Sequence, residues 1–341
     1  MRNANNVRIG CLCAIACETL FGFSYLFTKN ATTHASELSL LGWRFFIAIV
    51  VMGICAGVGI IKIDLRGKSL RPLIAVALFS PVIYFTGETF GISNTTASES
   101  GAFLACIPVM SLIASSLILK KKPLRIQVIG ILITLAGVLV TVFAVGISSS
   151  LSIIGYAALL IAVISYALYS VFVEKAEGYT GEEITFVMLF AGAILFVIMA
   201  LIESISAGNL EGLLKLPFTN SSFLIACLYQ GIGCSVLAFF LSNVAIAKIG
   251  VNRTSSFIGI ATAVSIVAGV LILKEPFTAF QVVGVVLIVA GVYIANSRLK
   301  DKKSANSSLY GHTKAPTRPS SAAGADNSKK HLQTLVARRR F

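Results

Sequence analysis

Long apolar segments with almost no charge fill this chain from Ile9 to about Asn296. About 18 or more such residues in a row indicate a membrane helix, because about 20 helical residues cross the ~30 Å hydrocarbon layer of a bilayer. Only 12% of the residues are charged, whereas about a quarter of the residues of a soluble chain carry charge. We therefore predict an all-α integral membrane protein.

Ten segments fit this description, and short connections separate them. A different composition follows in residues 298–341, which are rich in Lys, Ser, Ala and Asn. This stretch holds too few apolar residues to build a core, so it is predicted to be a basic, disordered cytoplasmic tail that lies near anionic lipids. The ten predicted helices cover residues 9–28, 40–60, 71–92, 97–119, 125–145, 153–173, 183–204, 222–245, 252–273 and 277–296.

The formal net charge of +14 lies mainly in the tail and in short connections between apolar segments. Basic connections of membrane proteins usually face the cytoplasm. Placing the N-terminus inside brings the more basic connections to one side, which predicts a multi-pass protein of the cell (inner or plasma) membrane with both termini cytoplasmic. The same distribution argues against nucleic-acid binding. The residues on that side are Lys62, Arg66, Lys68, Arg71, Lys120, Lys121, Lys122, Arg125, Lys248 and Arg253.

An internal repeat joins the two halves of the chain. Residues 117–120, Leu-Ile-Leu-Lys, recur as residues 271–274, and the Gln-Val-x-Gly and Ala-Gly-Val motifs that follow recur in the same register. Every pair is 154 positions apart without a gap, including Lys120 with Lys274 and Gly130 with Gly284. Polar and glycine matches in register indicate a duplication, with a first copy in residues 1–146 and a second in residues 147–297.

A copy of five helices is odd-numbered, so the two copies must cross the membrane in opposite directions. Inverted repeats suit alternating access, because exchanging the conformations of the two halves turns an outward-open state into an inward-open one. The pattern therefore predicts two inverted five-helix repeats in a secondary transporter. Channels and membrane scaffolds can be duplicated as well, and these alternatives stay open.

Several motifs are similar to the EamA domains of the drug/metabolite transporter superfamily. Residues 271–292 resemble the end of an EamA domain, and Tyr84-Phe85 with Glu88 resembles a subset of these proteins. The resemblance covers about residues 9–296. Other matching segments are Phe21-Gly22, Thr95-Thr96-Ala97-Ser98 with Pro108-Val109, and Ser165-Tyr166-Ala167-Leu168-Tyr169.

The resemblance implies ten helices, two inverted repeats and a central cavity that both copies share. It also implies export or exchange of amino acids, their relatives or other small metabolites. One departure stands out: the first copy has Lys120-Lys121-Lys122-Pro123 where the family often keeps a glutamate, while the second copy keeps Glu275. This difference favours a structural role at a helix end for Glu275.

Glu18 and Glu88 are the acidic residues well inside predicted helices. A charge near the bilayer centre costs at least ~2.5–3.5 kcal/mol, so both side chains should face a cavity or a partner. They could bind a cation or exchange a proton with the solvent, which would couple transport to protons. The structural alternatives are an ion pair with Arg44 or Arg253, or a neutral carboxyl group bonded to a backbone carbonyl.

Arg44 follows Trp43 in the second predicted helix. Its guanidinium could bind the carboxylate of a substrate through paired N–H donors. The favoured alternative is an interfacial Trp-Arg anchor whose charged end reaches the lipid headgroups.

Tyrosines and amides supply the remaining candidate residues. Tyr84 lies four positions before Glu88, and Tyr166 lies three before Tyr169, so each pair shares a helix face. Aromatic walls with polar tips suit amino-acid side chains or organic cations, although the same rings could simply pack helices together. Gln230 and Asn243 could bind substrate or form interhelical hydrogen bonds.

The predicted function is a secondary transporter, either an exporter or an exchanger, of small organic metabolites such as amino acids, with proton coupling as an option. The alternatives are a multidrug or organic-cation exporter of the same fold, and a membrane receptor or scaffold that does not transport. We expect no enzymatic activity, no cofactor and no metal, because the sequence shows no catalytic constellation and no Walker motif. A homodimer stays open. The predicted substrate-binding residues are Glu88, Tyr84, Glu18, Tyr166, Tyr169, Gln230, Asn243 and Arg44.

Overall fold

The computed structural model of the protein describes residues 4–31, 34–94, 103–144, 152–272 and 279–296. Every regular element in these ranges is helical. The predicted tail lies outside them. In chain order the helices are α1 (Ala4–Ala31), α2 (Glu37–Gly57), α3 (Arg71–Ala77), α4 (Tyr84–Ser93), α5 (Ile107–Ile118), α6 (Arg125–Ala144), α7 (Ile153–Lys175), α8 (Gly181–Ser206), α9 (Leu210–Thr219), α10 (Ser221–Leu228), α11 (Phe239–Ile249), α12 (Val251–Thr254), α13 (Gly259–Ile272) and α14 (Ala279–Asn296).

Eight segments within the described ranges are long and apolar enough to cross a membrane. They support the predicted all-helical membrane class, and each overlaps a predicted span. Two shorter apolar helices, Ile107–Ile118 and Arg125–Val140, coincide with the fourth and fifth predicted spans. Ten spans remain a prediction, since parts of several predicted spans lie outside the described residues. The eight segments are Asn5–Ser24, Glu37–Gly57, Arg71–Gly91, Ile153–Lys175, Gly181–Ser206, Ser221–Ile249, Val251–Ala268 and Ala279–Asn296.

Large apolar side chains cover the outer surface of these helices. Leu12, Ile54, Phe190, Ile198 and Val286 are all at least half exposed. Soluble monomers rarely expose contiguous apolar surfaces of this kind, whereas a bilayer solvates them. The interior is filled by a different set of side chains, with Phe45, Phe196, Leu189 and Met188 in its largest cluster.

The third predicted helix of each copy is interrupted near its middle. In the first copy, α3 and α4 are joined through residues 78–83, where Ser80 has an extended backbone (φ −147°, ψ 122°) before Pro81. The Ser165 hydroxyl donates to the carbonyl of Phe79 at this break (2.7 Å). In the second copy, a wider π-helical segment, Tyr229–Ala238, joins α10 and α11. Such interruptions often mark functional sites in helices.

Two buried or half-buried glutamates tie the connections together at one end of the bundle. Glu183, in the first turn of α8, accepts from Lys68 Nζ (2.7 Å) and from the Asp64 nitrogen (3.3 Å). Glu174, near the end of α7, pairs with Lys121 and accepts from the Val251 nitrogen (2.8 Å). These bonds join connections from both halves of the chain at the end where α2 terminates.

The connection predicted for residues 206–220 contains a further helix, α9. The Trp43 indole nitrogen donates to the carbonyl of Leu213 in that helix (3.0 Å). The predicted interfacial Trp-Arg anchor is therefore wrong for this pair, because Trp43 bonds to the protein backbone and Arg44 is buried.

Helices α6 and α14 make the most extensive helix–helix contact among the described elements. Glycines allow their backbones to approach closely. A Cβ added at Gly130 would lie 2.6 Å from the carbonyl oxygen of Gly291, and one added at Gly137 would lie 2.8 Å from that of Gly284. Real Cβ atoms do not approach so closely, and the order of these pairs shows that the two helices run antiparallel.

Replacing Gly130 with Ala should therefore lower stability. The added methyl group forces the helices apart, and overpacking of this kind costs typically ~1–3 kcal/mol. Gly53→Ala is the matched control, since no described heavy atom lies within 4 Å of the Cβ it would add; alanine is also the better helix former there. Thermal unfolding in detergent checks the pair: equal melting temperatures for Gly130→Ala and Gly53→Ala would contradict the close-contact interpretation.

Candidate functional site

A cavity of about 450 Å³ lies inside the helix bundle. Its volume falls within the usual range for small-molecule sites, about 300–1,000 Å³. Helices from both predicted copies line it: α1, α2, α4, α5 and α6 from the first, and α7, α8, α11 and α13 from the second. On α2 the lining runs from Glu37 to Arg44, so the cavity extends towards the end opposite the Glu183 and Glu174 ties.

Seven of the eight residues predicted to bind substrate line this cavity. They come from five separate parts of the chain, which the fold brings together. Asn243 does not line it. The seven are Glu18, Arg44, Tyr84, Glu88, Tyr166, Tyr169 and Gln230.

Arg44 is only 6% exposed and projects from α2 towards the π-helical segment. Its Nε donates to Ser235 Oγ (2.7 Å), and its Nη1 donates to Gln230 Oε1 (3.2 Å). The guanidinium also lies over the ring of Phe85, at 4.8 Å from its centroid. No described carboxylate forms an ion pair with it, and the buried Nη2 has no hydrogen-bond partner. A buried guanidinium with unused donors is suited to bind an anion.

Gln230, in the predicted second copy, holds Arg44 in place. Its amide nitrogen donates to Thr28 Oγ1 (2.8 Å) while its oxygen accepts from Arg44. The side chain is 2% exposed and both of its ends are engaged. Gln230 therefore orients the guanidinium and links α1, α2 and the π-helical segment.

Glu88 and Tyr84 form one acidic wall of the cavity on α4. The Tyr84 hydroxyl donates to Glu88 Oε1 at 2.8 Å. Glu88 also attracts Arg44 electrostatically, although the two side chains do not reach ion-pair distance in the described structure. Glu88 therefore keeps acceptor capacity for a further donor or a proton.

Glu18 lies on α1, in another part of the wall. It is 5% exposed and interacts electrostatically with Tyr166 and Tyr169 of α7 and with Cys17. Neither of its predicted cationic partners, Arg44 and Arg253, pairs with it, and no described residue donates a hydrogen bond to its carboxyl group. The predicted structural pairing of Glu18 is therefore not found in the described residues.

Asn243 lies behind the cavity wall. Its side chain is fully buried, accepts from the Tyr169 hydroxyl (2.8 Å) and donates to Thr185 Oγ1 (3.0 Å). Of its two predicted roles, the structure gives it the interhelical one: it fixes the position of Tyr169 against α8.

Sequence reasoning missed the hydroxyl groups of the site. Ser235 binds Arg44, Thr28 binds Gln230, and Ser242 lies 3.4 Å from the Tyr169 hydroxyl. Hydroxyls in apolar helices often bond to their own backbone instead, as Thr86 does with the Val82 carbonyl. Their sequence positions therefore carry little signal. In the described residues no group of three or more His, Cys, Asp or Glu side chains is placed to hold a metal ion.

Comparison with known proteins identifies the family of this helix bundle. The model of the EamA-like transporter family matches the chain twice, at residues 8–143 and 153–297. The chain belongs to the EamA-like transporter family. The predicted resemblance is thereby confirmed, and with it the coarser conclusion that this is a multi-pass membrane protein of a transporter family.

Relatives of this EamA-like chain occur in bacteria and plants. An uncharacterized transporter, YcxC of Bacillus subtilis, is 29% identical over 293 residues, which cover 85% of this chain and 94% of that protein. A WAT1-related protein of Arabidopsis thaliana is 23% identical over 311 residues, covering 80% and 81% of the two chains. A crystal structure with a TM-score of 0.68 and 20% identity covers 86% of this chain and 97% of its own, and it shows the same fold.

The bonds of Asn243 generate a stability prediction. Asn243→Ala removes the acceptor at 2.8 Å from the Tyr169 hydroxyl and the donor to Thr185 Oγ1, and it should cost about 1–3 kcal/mol because two buried polar groups each lose a partner. Asn94→Ala is the control, since Asn94 is exposed and bonds within its own helix. Thermal unfolding in detergent should show a melting temperature several degrees lower for Asn243→Ala than for Asn94→Ala. Equal melting temperatures of the two variants would contradict the interhelical role of Asn243.

Proposed function

We propose that this EamA-like protein is a secondary transporter of small organic metabolites that carry a carboxylate, such as amino acids and related compounds. The observation that carries the proposal is Arg44, a buried cation without a described ion-pair partner in the wall of a cavity lined by both halves of the chain. An uncompensated buried charge is costly, and a bound anion removes that cost.

The position of the carboxylate follows from the unused donors of Arg44. A guanidinium has five N–H groups in a planar fork, and Ser235 and Gln230 engage two of them. The rest remain for a bidentate contact with a carboxylate, which is stronger and more specific than a contact with a point charge. The ring of Phe85 lies against the guanidinium, with its centroid 4.8 Å from Arg44 Cζ.

Alternating access is the proposed mechanism. It requires two structurally equivalent halves in opposite orientation. The contact between α6 and α14 supports this, because Gly130 faces Gly291 and Gly137 faces Gly284, and these four positions are the equivalent glycines of the two copies. The interruptions in the third helix of each copy supply equivalent points at which the two halves can bend.

The cavity extends towards one end of the bundle, and the Glu183 and Glu174 ties join the connections at the other end. With both termini in the cytoplasm of the host cell, the ties lie on the cytoplasmic side and the cavity extends towards the outside. The inward-open state then requires Lys68 and Lys121 to release their glutamate partners.

Glu88 is the proposed coupling group. Its carboxyl group faces the cavity beside the Tyr84 hydroxyl and Arg44. A carboxylate in that position can hold either a proton or the ammonium group of a substrate, so binding of one excludes the other. Exchange of the two across the membrane would make this protein a proton-coupled exporter or exchanger.

An organic-cation exporter of the same fold is the second candidate. Glu18 favours it, because this carboxylate has no described cationic partner and lies beside Tyr166 and Tyr169. Aromatic faces next to a carboxylate attract cations. Carboxylate-free cations leave Arg44 unpaired, which is the reason to rank this candidate second.

Counterflow in liposomes tests the transport function. We expect purified full-length protein in phosphatidylethanolamine–phosphatidylglycerol vesicles to exchange labelled amino acids saturably, and the corresponding amino-acid amides to compete poorly. Arg44→Lys should raise the half-saturation concentration at least about tenfold, because lysine lacks the planar fork. Arg71→Lys, at the exposed start of α3, is the matched control. Exchange of carboxylate-free cations alone would favour the second candidate, and no exchange of any compound would contradict the proposal.

Proton coupling is tested separately with Glu88→Gln. The amide keeps an oxygen that can accept from Tyr84 but cannot exchange a proton, so we expect exchange rates that no longer change between acidic and alkaline buffers. Glu177→Gln, in an exposed connection, should behave as wild type. The same pH profile in Glu88→Gln and wild type would exclude Glu88 as the coupling group and leave the transport function standing.

A further inference from the structure

The cavity lining holds more acidic than basic side chains. Among its described lining residues, Glu18, Glu37 and Glu88 are acidic, and Arg44 is the one cation. Glu37 also lies near Glu203, which Ser36 binds at the same end of the bundle. A neutral zwitterion would not compensate this excess, whereas a substrate with a net positive charge would. Acidic groups along a narrow cavity also concentrate cations there.

The charges are separated into two groups. Arg44 and Glu88 attract each other and both interact with Tyr84. Glu18 lines the cavity near Tyr166 and Tyr169 instead, and no described ion pair joins it to Arg44. The cavity therefore has a mixed pole around Arg44 and Glu88, and a purely acidic pole at Glu18.

The mixed pole fits the head of an α-amino acid. The carboxylate and the ammonium group of such a molecule are attached to one carbon atom, so their partners must be neighbours of opposite charge. Arg44 and Glu88 are the described lining residues that meet this requirement. Arg44 would bind the carboxylate. Glu88 would accept a hydrogen bond from the ammonium group while its Oε1 accepts from the Tyr84 hydroxyl.

The acidic pole fits a second cation on the same molecule. Glu18 is buried and without a described ion-pair partner, and leaving such a carboxylate desolvated is costly. Four aromatic rings line the same cavity as Glu18: Phe21 and Phe239 lie 6.2 Å apart, and Tyr166 and Tyr169 lie 5.4 Å apart. Ring faces and a carboxylate together form a suitable site for an ammonium or guanidinium group.

We propose that the substrate is a basic α-amino acid, whose head binds between Arg44 and Glu88 and whose side-chain cation binds at Glu18. This inference rests on the transport function proposed above and makes it more specific. A neutral amino acid of the same length would leave Glu18 without a partner, and sites with an unpaired buried polar group discriminate strongly against such analogues.

Lysine and norleucine test this inference, because they share the same carbon chain and differ by the terminal amino group. In counterflow, the wild-type protein should exchange lysine at least about tenfold more efficiently than norleucine. Glu18→Gln should lose most of that preference, while norleucine exchange is kept or rises. Glu211 is an exposed residue of α9 outside the cavity, so Glu211→Gln should keep the wild-type ratio of lysine to norleucine exchange.

The outcomes separate this inference from the transport function. Efficient exchange of norleucine or other neutral amino acids, without a preference for lysine, would overturn the inference and keep the transporter. A lysine preference unchanged in Glu18→Gln would overturn the assignment of Glu18. Absence of any amino-acid exchange in the wild type would overturn both proposals.

Ligand-induced thermal stabilisation decides the case in which Glu18→Gln transports neither compound. Stabilisation by lysine in the wild type but not in the variant supports the side-chain cation site. Equal stabilisation of both proteins overturns it.

Discussion

A buried charge in a membrane protein must find its solvation within the chain, and Arg44 is the place where this requirement organises the structure. Its guanidinium donates to Ser235 and Gln230 of the π-helical segment, and Gln230 in turn binds Thr28 of α1. Three separate parts of the sequence are thereby held around one cation. The cavity lies beside this cation, for which the protein supplies fewer acceptors than the guanidinium can use.

The helical membrane class could be predicted from sequence because it depends on patterns that survive without tertiary knowledge. Uncharged segments long enough to span a bilayer admit few structures other than helices. The repeat at 154 positions and the motifs around Glu88 and residues 271–292 then indicated the family. Charged and polar groups inside those helices pointed to the site because burying them in a membrane is costly. Seven of the eight predicted residues line the cavity.

The remaining features depend on three-dimensional contacts that a sequence does not specify. Arg44 next to Trp43 has the sequence pattern of a headgroup anchor, and only the position of α9, which binds Trp43, removes that interpretation. Asn243 and Gln230 are both amides within apolar helices, yet one lies behind the wall and the other at its surface. At the interruption the sequence shows Pro81, which cannot continue a regular helix, but it does not show that Ser165 of another helix binds the Phe79 carbonyl there.

The glycine contact between α6 and α14 bears on how such a chain could have arisen. Gly130 faces Gly291, and Gly137 faces Gly284, so each helix presents the same two-glycine surface to the other. A polypeptide comprising only the first copy would carry that surface in full and could pair with an identical polypeptide inserted in the opposite orientation. If the proposed inverted duplication arose by fusion of two such genes, the glycine contact would be kept while the halves diverged. Contacts that exist once in the chain, such as those of Arg44 with Gln230 and Ser235, would then belong to the divergence.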